Sequence, residues 1–180
     1  MQITVSRKET KQWIDKLETS AEVSMLSIAN LASEIDAMSF LYECKFHEIG
    51  FDPLDSTKPL NFVEQLNQTF TYLASFKGAE YIFENHDDVK SLTLNLGTSK
   101  GTDIETVDCG GVVAEVFASV DPTNNSKIQK DIKRIRLNSA KHKYVFFISP
   151  KTDSGIYNSK WDDDGVIVIS FGDGSSKEKI

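Results

Sequence analysis

The spacing of apolar residues divides the chain into a helical first half and a second half rich in strands. Apolar positions recur every three to four residues in three stretches, which predicts helices over about 7–18, 21–47 and 60–84. Residues 1–5 are either a short strand or a mobile end. Residues 50–59 contain a glycine and two prolines, so we interpret them as a linker.

In the second half the apolar period changes from helical to alternating. Leucines alternate with polar residues over 91–96, which predicts a strand with one face in the core. A turn at 97–101 leads to a return strand at 103–107. Residues 112–120 are apolar at both alternate sets of positions, which predicts a central strand that is covered on both faces.

A basic amphipathic helix follows this central strand. Its packing stripe is Ile128, Ile132 and Ile135, and its lysines and Arg134 point the other way, either into solvent or toward the mouth of a site. The strand predicted at 143–149 would run parallel to the central strand through a right-handed crossover. Residues 165–171 are predicted to form a last strand at a sheet edge.

Three acidic residues interrupt this apolar pattern. Asp103 begins one predicted strand, and Glu115 lies in the middle of the next, where a buried carboxylate needs a partner. Glu80 falls on the apolar stripe of the third helix, where it either has a partner or reaches water from the helix end. Two strand carboxylates beside lysines from a helix would suit a hard divalent cation and a phosphodiester.

Charge and composition narrow the class of protein. The net charge is −7, yet residues 127–143 carry seven basic side chains and a single acid, Asp131. This segment is either a solvated helix face or a local anion-binding patch. With 39% hydrophobic residues in 180, we expect one globular domain. We see no secretory signal or membrane span, so we expect a cytoplasmic protein without a membrane partner. Cys44 and Cys109 are then free thiols, although a disulfide stays open.

The order of helix, antiparallel strands bearing Asp and then Glu, crossover helix and further strand resembles the PD-(D/E)xK nuclease superfamily. The resemblance covers about residues 61–150, and the chain is also similar to uncharacterised bacterial proteins with N-Q-T-F, G-x-D and A-E-x-F-A elements, here at 67–70, 101–103 and 114–118. It implies an α/β fold, a mixed sheet flanked by helices. Its restriction-endonuclease-like core would span 60–172, with an N-terminal helical extension at 1–59 and a flexible tail at 173–180.

The resemblance also implies a role for each acid. Asp103 and Glu115 would hold Mg²⁺ or Mn²⁺, and Glu80 would be the supplementary acid from the preceding helix. The chain departs from the motif at Phe117, which stands where the superfamily has its lysine. In some relatives that lysine comes from the following helix, and here Lys127 or Lys130 would supply it; otherwise the site does not catalyse.

Two functions follow as hypotheses. The first is a Mg²⁺-dependent nuclease that hydrolyses DNA in defence or repair, with a basic helix surface that contacts the nucleic acid through Lys127, Lys130, Lys133 and Arg134. The alternative is a catalytically inactive nuclease-fold protein that binds nucleic acid or another protein. The N-terminal helices would offer a surface for a homodimer or a protein partner.

Overall fold

The computed structural model describes residues 1–97, 101–107, 111–157 and 165–173. The chain divides into two compact units. The first, the sheet unit, combines Met1–Thr10 with Ala74–Ile180, and the second, the helical unit, is Lys11–Leu73. This division does not coincide with the predicted boundary at 59/60, because the first strand belongs to the sheet and the third helix contributes to both units. The predicted tail lies almost wholly outside the described residues.

In the described part of the sheet unit, a mixed sheet is accompanied by two α-helical segments and the short 3₁₀ helix Asn124–Ser126. Its strands are β1 (Gln2–Ser6), β4 (Ser91–Asn95), β5 (Ile104–Thr106), β6 (Val112–Ala118), β7 (His142–Ile148), β8 (Asp153–Ile156) and β9 (Ile167–Asp173). Its helices are α4 (Lys127–Arg136) and the C-terminal half of α3 (Phe62–Asn85). The mixed α/β class is therefore confirmed, as are the predicted third and fourth helices.

The strand order is β1-β4-β5-β6-β7-β9-β8. Strands β1, β4, β5 and β6 pair antiparallel, whereas β6, β7 and β9 pair parallel. The predicted central position of β6 and its parallel pairing with β7 are confirmed. The predicted edge position of the last strand is wrong, because β8 pairs with its outer side. The four residues of β8 are all exposed and show no apolar alternation, so no periodic pattern indicates a strand there.

The helical unit contains most of α1 (Thr10–Glu34), α2 (Ala37–Phe46), the hairpin strands β2 (Gly50–Asp52) and β3 (Asp55–Leu60), and the start of α3. The predicted break near residue 20 is wrong, since α1 continues to Glu34. The break lies at Asp36, whose carboxylate accepts from the Met38 and Ser39 amides at 3.0 and 3.2 Å and caps α2.

The predicted linker at 50–59 is also wrong, because these residues form the β2–β3 hairpin. The Asp52 carboxylate accepts from the Leu54 amide at 3.0 Å within the turn, and its other oxygen accepts from the Tyr72 hydroxyl at 3.1 Å. Glycine, proline and aspartate mark tight hairpin turns as well as linkers, so the composition alone did not separate the two.

Each face of the sheet has its own helix. On one face, Gly78 of α3 lies against the side chains of Phe146 and Ile104, and the Tyr81 ring contacts Tyr144 and Phe146. On the opposite face, Ile128, Ile132 and Ile135 of α4 share a core with Val113, Phe117, Val145 and Phe147. We call these the α3 face and the α4 face. A bilayer-spanning helix would need a longer apolar run than any described helix has.

Candidate active site

Asp103 directly precedes β5, and Glu115 lies in β6, the strand that pairs with β5. The antiparallel register pairs Ile104 with Ala114 and Glu105 with Val113, and the next position along each strand is Asp103 on one and Glu115 on the other. The Asp103 carboxylate accepts from the Val116 amide at 2.7 Å, so the Asp103 side chain lies against β6 beside Glu115. Directly opposite residues share a sheet face, and Glu115 alternates with Ala114 and Val116, so both acids belong to the α4 face.

The Glu115 carboxylate is completely buried and is paired with Arg134. The Glu115 side chain has 0% exposure, whereas the Arg134 side chain, whose Nη2 meets Glu115 Oε2, is 56% exposed. Apart from the ion pair with Arg134, no hydrogen-bond donor among the described residues reaches either oxygen of the Glu115 carboxylate. A buried carboxylate with one cationic partner and an oxygen that lacks a donor is costly to hold in a core.

A second ion pair lies beside the first. Lys127 Nζ is 2.9 Å from Asp131 Oδ1, and the Asp131 side chain is 5% exposed. The same ammonium lies 5.6 Å from the centroid of the Phe117 ring. The Phe117 ring and the Lys127 ammonium thus lie together, although Phe117 belongs to β6 and Lys127 to the first turn of α4.

Burial and neighbouring charges act in opposite directions on these acids. Burial raises the pKa of Asp103, while the Val116 amide, which donates to its Oδ2 at 2.7 Å, and the charges of Arg134 and Lys127 lower it; the balance is a raised value. Burial also raises the pKa of Asp131 against the opposing effect of Lys127, and the Asp103 charge raises it further. The three acids and two cations are therefore one electrostatic cluster, which we call the α4-face cluster: Asp103, Glu115, Lys127, Asp131 and Arg134.

The structure brings together some of the predicted site residues and separates others. Asp103, Glu115, Lys127 and Arg134 lie in the cluster. Lys130 and Lys133 are exposed on α4 and have no ion pair with a described acid. Glu80 is half-buried on α3, which packs on the other face of the sheet, and among the described residues it is not grouped with Asp103 and Glu115.

Sequence reasoning missed Asp131 and the inward partner of Arg134. The charge pattern shows Asp131 only as the single acid in a basic run, yet it lies three residues after Ile128 and one before Ile132, on the buried stripe of α4. The helical period that located the isoleucines therefore also contained the signal for Asp131. No sequence pattern indicates that Arg134 contacts Glu115. The two residues belong to different elements, so their ion pair depends on how α4 packs against the sheet.

The donor set fits a divalent cation in one respect and not in another. Within the described ranges, no three His, Cys, Asp or Glu side chains are arranged as a metal-binding group. Mg²⁺, however, is commonly held by one or two carboxylates, with water and substrate phosphate as its other ligands. Asp103 and Glu115 are such a pair. No described hydrogen-bond donor reaches Glu115 Oε1, so this oxygen is available to a cation.

Comparison of the chain with family models, with curated proteins and with solved structures gives no match. The geometry of the α4-face cluster is therefore the basis for the function proposed below.

Proposed function

We propose that this chain is a Mg²⁺-dependent nuclease that hydrolyses DNA phosphodiester bonds at the α4-face cluster. The observation that carries the proposal is the position of Lys127, whose ammonium lies 5.6 Å from the Phe117 ring. Phe117 stands two residues after Glu115, where the resembled superfamily has its lysine. Lys127 therefore brings a positive charge beside Phe117, the position at which the resembled superfamily has a lysine.

Four residues of the cluster have roles that follow from their surroundings: Asp103, Glu115, Lys127 and Asp131. Asp103 and Glu115 would hold the cation, which supplies an activated water and neutralises charge on the phosphoryl group. Lys127 would stabilise the negative charge that develops on the phosphate. Asp131, 2.9 Å from the Lys127 ammonium, holds that side chain in place. The exposed Lys130 and Lys133 would contact the DNA backbone.

The proposal extends to the fold, since it reads the sheet unit as a restriction-endonuclease-like core. The order of elements supports this reading: α3, antiparallel β4, β5 and β6, crossover helix α4 and parallel β7. The two acids come from the antiparallel pair, and the cationic residues come from the crossover helix.

Cleavage of supercoiled plasmid and branched DNA in Mg²⁺ or Mn²⁺ tests the proposal. Glu115→Gln keeps the side-chain shape and removes the charge, so we expect it to abolish metal-dependent cleavage. Lys127→Met keeps the aliphatic stem and should reduce the rate by roughly 10²–10³-fold, as for the loss of one stabilising donor. Lys11→Gln, which removes an exposed lysine of the helical unit, is the control. Cleavage by Glu115→Gln at the wild-type rate would contradict the proposal.

A second candidate function is a catalytically inactive module that binds nucleic acid or a protein. The Arg134–Glu115 pair favours it, because a guanidinium that permanently occupies Glu115 would replace the metal. Exposed apolar side chains in the helical unit, among them Met25, Leu26, Met38 and Phe46, would then contact a protein partner. This candidate predicts no Mn²⁺ binding by calorimetry and a nucleic-acid affinity that falls steeply with salt.

A further inference from the structure

The two partners of the Arg134–Glu115 ion pair differ in solvent exposure, and this difference affects how a cation could bind Glu115. Glu115 belongs to the central strand β6 and is completely buried, so its carboxylate cannot turn out to the solvent. Arg134 belongs to a helix whose outer surface is solvated, and its side chain is already 56% exposed. If the pair opens, the guanidinium is the partner that moves.

We propose that Arg134 is a displaceable counterion of Glu115, which a divalent cation must release before it binds and which then becomes available to a substrate phosphate. This inference rests on the proposed function, since it takes Asp103 and Glu115 as the cation ligands. It adds that Arg134 opposes cation binding in the free protein and favours it when DNA is present.

The surroundings of Arg134 supply both positions that the inference requires. In the inward position its guanidinium meets Glu115, the acid whose Oε1 has no described hydrogen-bond donor. In the outward position it would lie beside Lys130, one helical turn earlier, and Lys133, both of which are exposed. A guanidinium binds phosphate oxygens in bidentate fashion, so this cluster of three cations is suited to a nucleic-acid backbone.

Coupling between the two ligands follows from this arrangement. A cation at Glu115 and a phosphate at Arg134 each favour the open pair, so each raises the affinity of the site for the other. Lys127 does not share this behaviour, because its partner in the structure is Asp131 rather than Glu115.

Calorimetric titration of the full chain with Mn²⁺ tests the inference. Without DNA, Arg134→Gln should bind Mn²⁺ about tenfold or more tightly than wild type, since one charge-assisted contact no longer competes. Lys133→Gln removes the same charge from an exposed neighbouring position, where screening should limit the change to about twofold. A short duplex should tighten Mn²⁺ binding to wild type and not to Arg134→Gln. Equal affinities for wild type and Arg134→Gln would overturn the inference alone.

A measurement on the wild-type protein covers the case in which Arg134→Gln does not fold. Phenylglyoxal labelling, mapped by mass spectrometry, should modify Arg134 faster once Mn²⁺ is added, and an unchanged rate with Mn²⁺ bound would overturn the inference. Absence of Mn²⁺ binding to every variant would overturn both the inference and the proposed function. Tighter binding by Arg134→Gln in a protein that cleaves no DNA would support the inference and overturn the proposed function.

Discussion

The α3 face and the α4 face of the sheet are both covered by a helix, yet they bury different groups. On the α3 face the polar groups have ordinary partners, such as the Tyr144 hydroxyl at 2.9 Å from His86 Nε2. On the α4 face Glu115 and Asp131 are buried beside isoleucine and phenylalanine, and each has an oxygen without a described donor. Burying such charge opposes folding, so the two faces differ in whether their buried polar groups are fully paired.

The largest expected loss of stability comes from core substitutions on either face, and it tests whether each face is packed as a core. Phe146 and Phe147 are neighbours on β7, both fully buried, and they lie on opposite faces. Each substitution by alanine should lower the free energy of unfolding by about 3–5 kcal/mol, because it leaves a cavity. Urea denaturation measures the loss. A loss below about 1 kcal/mol for either variant would show that its face is not packed as a core.

The next effect separates the two partners of the ion pair. Arg134→Gln should cost about 3–5 kcal/mol at neutral pH, because it leaves the buried Glu115 carboxylate without a counterion. Glu115→Gln should cost about 1 kcal/mol or less, since the Arg134 it leaves behind is half-exposed and can be hydrated. Thermal and urea unfolding of the two variants check this asymmetry. Equal losses of unfolding free energy in the two variants would contradict the expectation that the buried Glu115 depends on Arg134 more than Arg134 depends on Glu115.

A smaller effect is expected at Gly78 on the α3 face. A Cβ added there would lie 2.7 Å from Cδ2 of Phe146, whose side chain is fully buried. Gly78→Ala should therefore destabilise the chain by about 1–3 kcal/mol through overpacking. Helix propensity alone predicts a gain of about 1 kcal/mol for this substitution. The sign of the change in urea midpoint thus decides between close packing and simple propensity.

The smallest effect is a pH dependence that arises on the α3 face. Burial lowers the pKa of His86 from 6.5, and the charges of His142 and Lys141 lower it further while Asp88 opposes them. The unfolded chain therefore binds a proton that the folded chain refuses, so stability is complete above pH 6.5 and is lost as the pH falls toward the lowered value. His86→Gln should flatten the pH profile of the free energy of unfolding below pH 6.5. A profile identical to wild type would assign the dependence to another group.

Much of the sheet unit could be predicted from the sequence because its patterns are local. The alternating leucines of β4, the doubly apolar β6 and the isoleucine stripe of α4 each place their element within a few residues. Where local signals were ambiguous, the predictions were wrong. Turn-forming residues at 50–59 belong to a hairpin, and the unpatterned β8 gave no signal and makes β9 an interior strand.

The candidate site shows the same division. The sequence alone identified Asp103 and Glu115 as acids within strands and the cations of the following helix, because a charge in an apolar pattern is visible without a structure. Only the tertiary structure decided which cation meets which acid. The pairing of β5 with β6 brings the two acids to the same part of the sheet, and the docking of α4 turns Arg134 to Glu115. Periodicity determines the face on which a side chain lies, whereas ion pairing depends on the position of one element against another, which is determined by packing across the whole core.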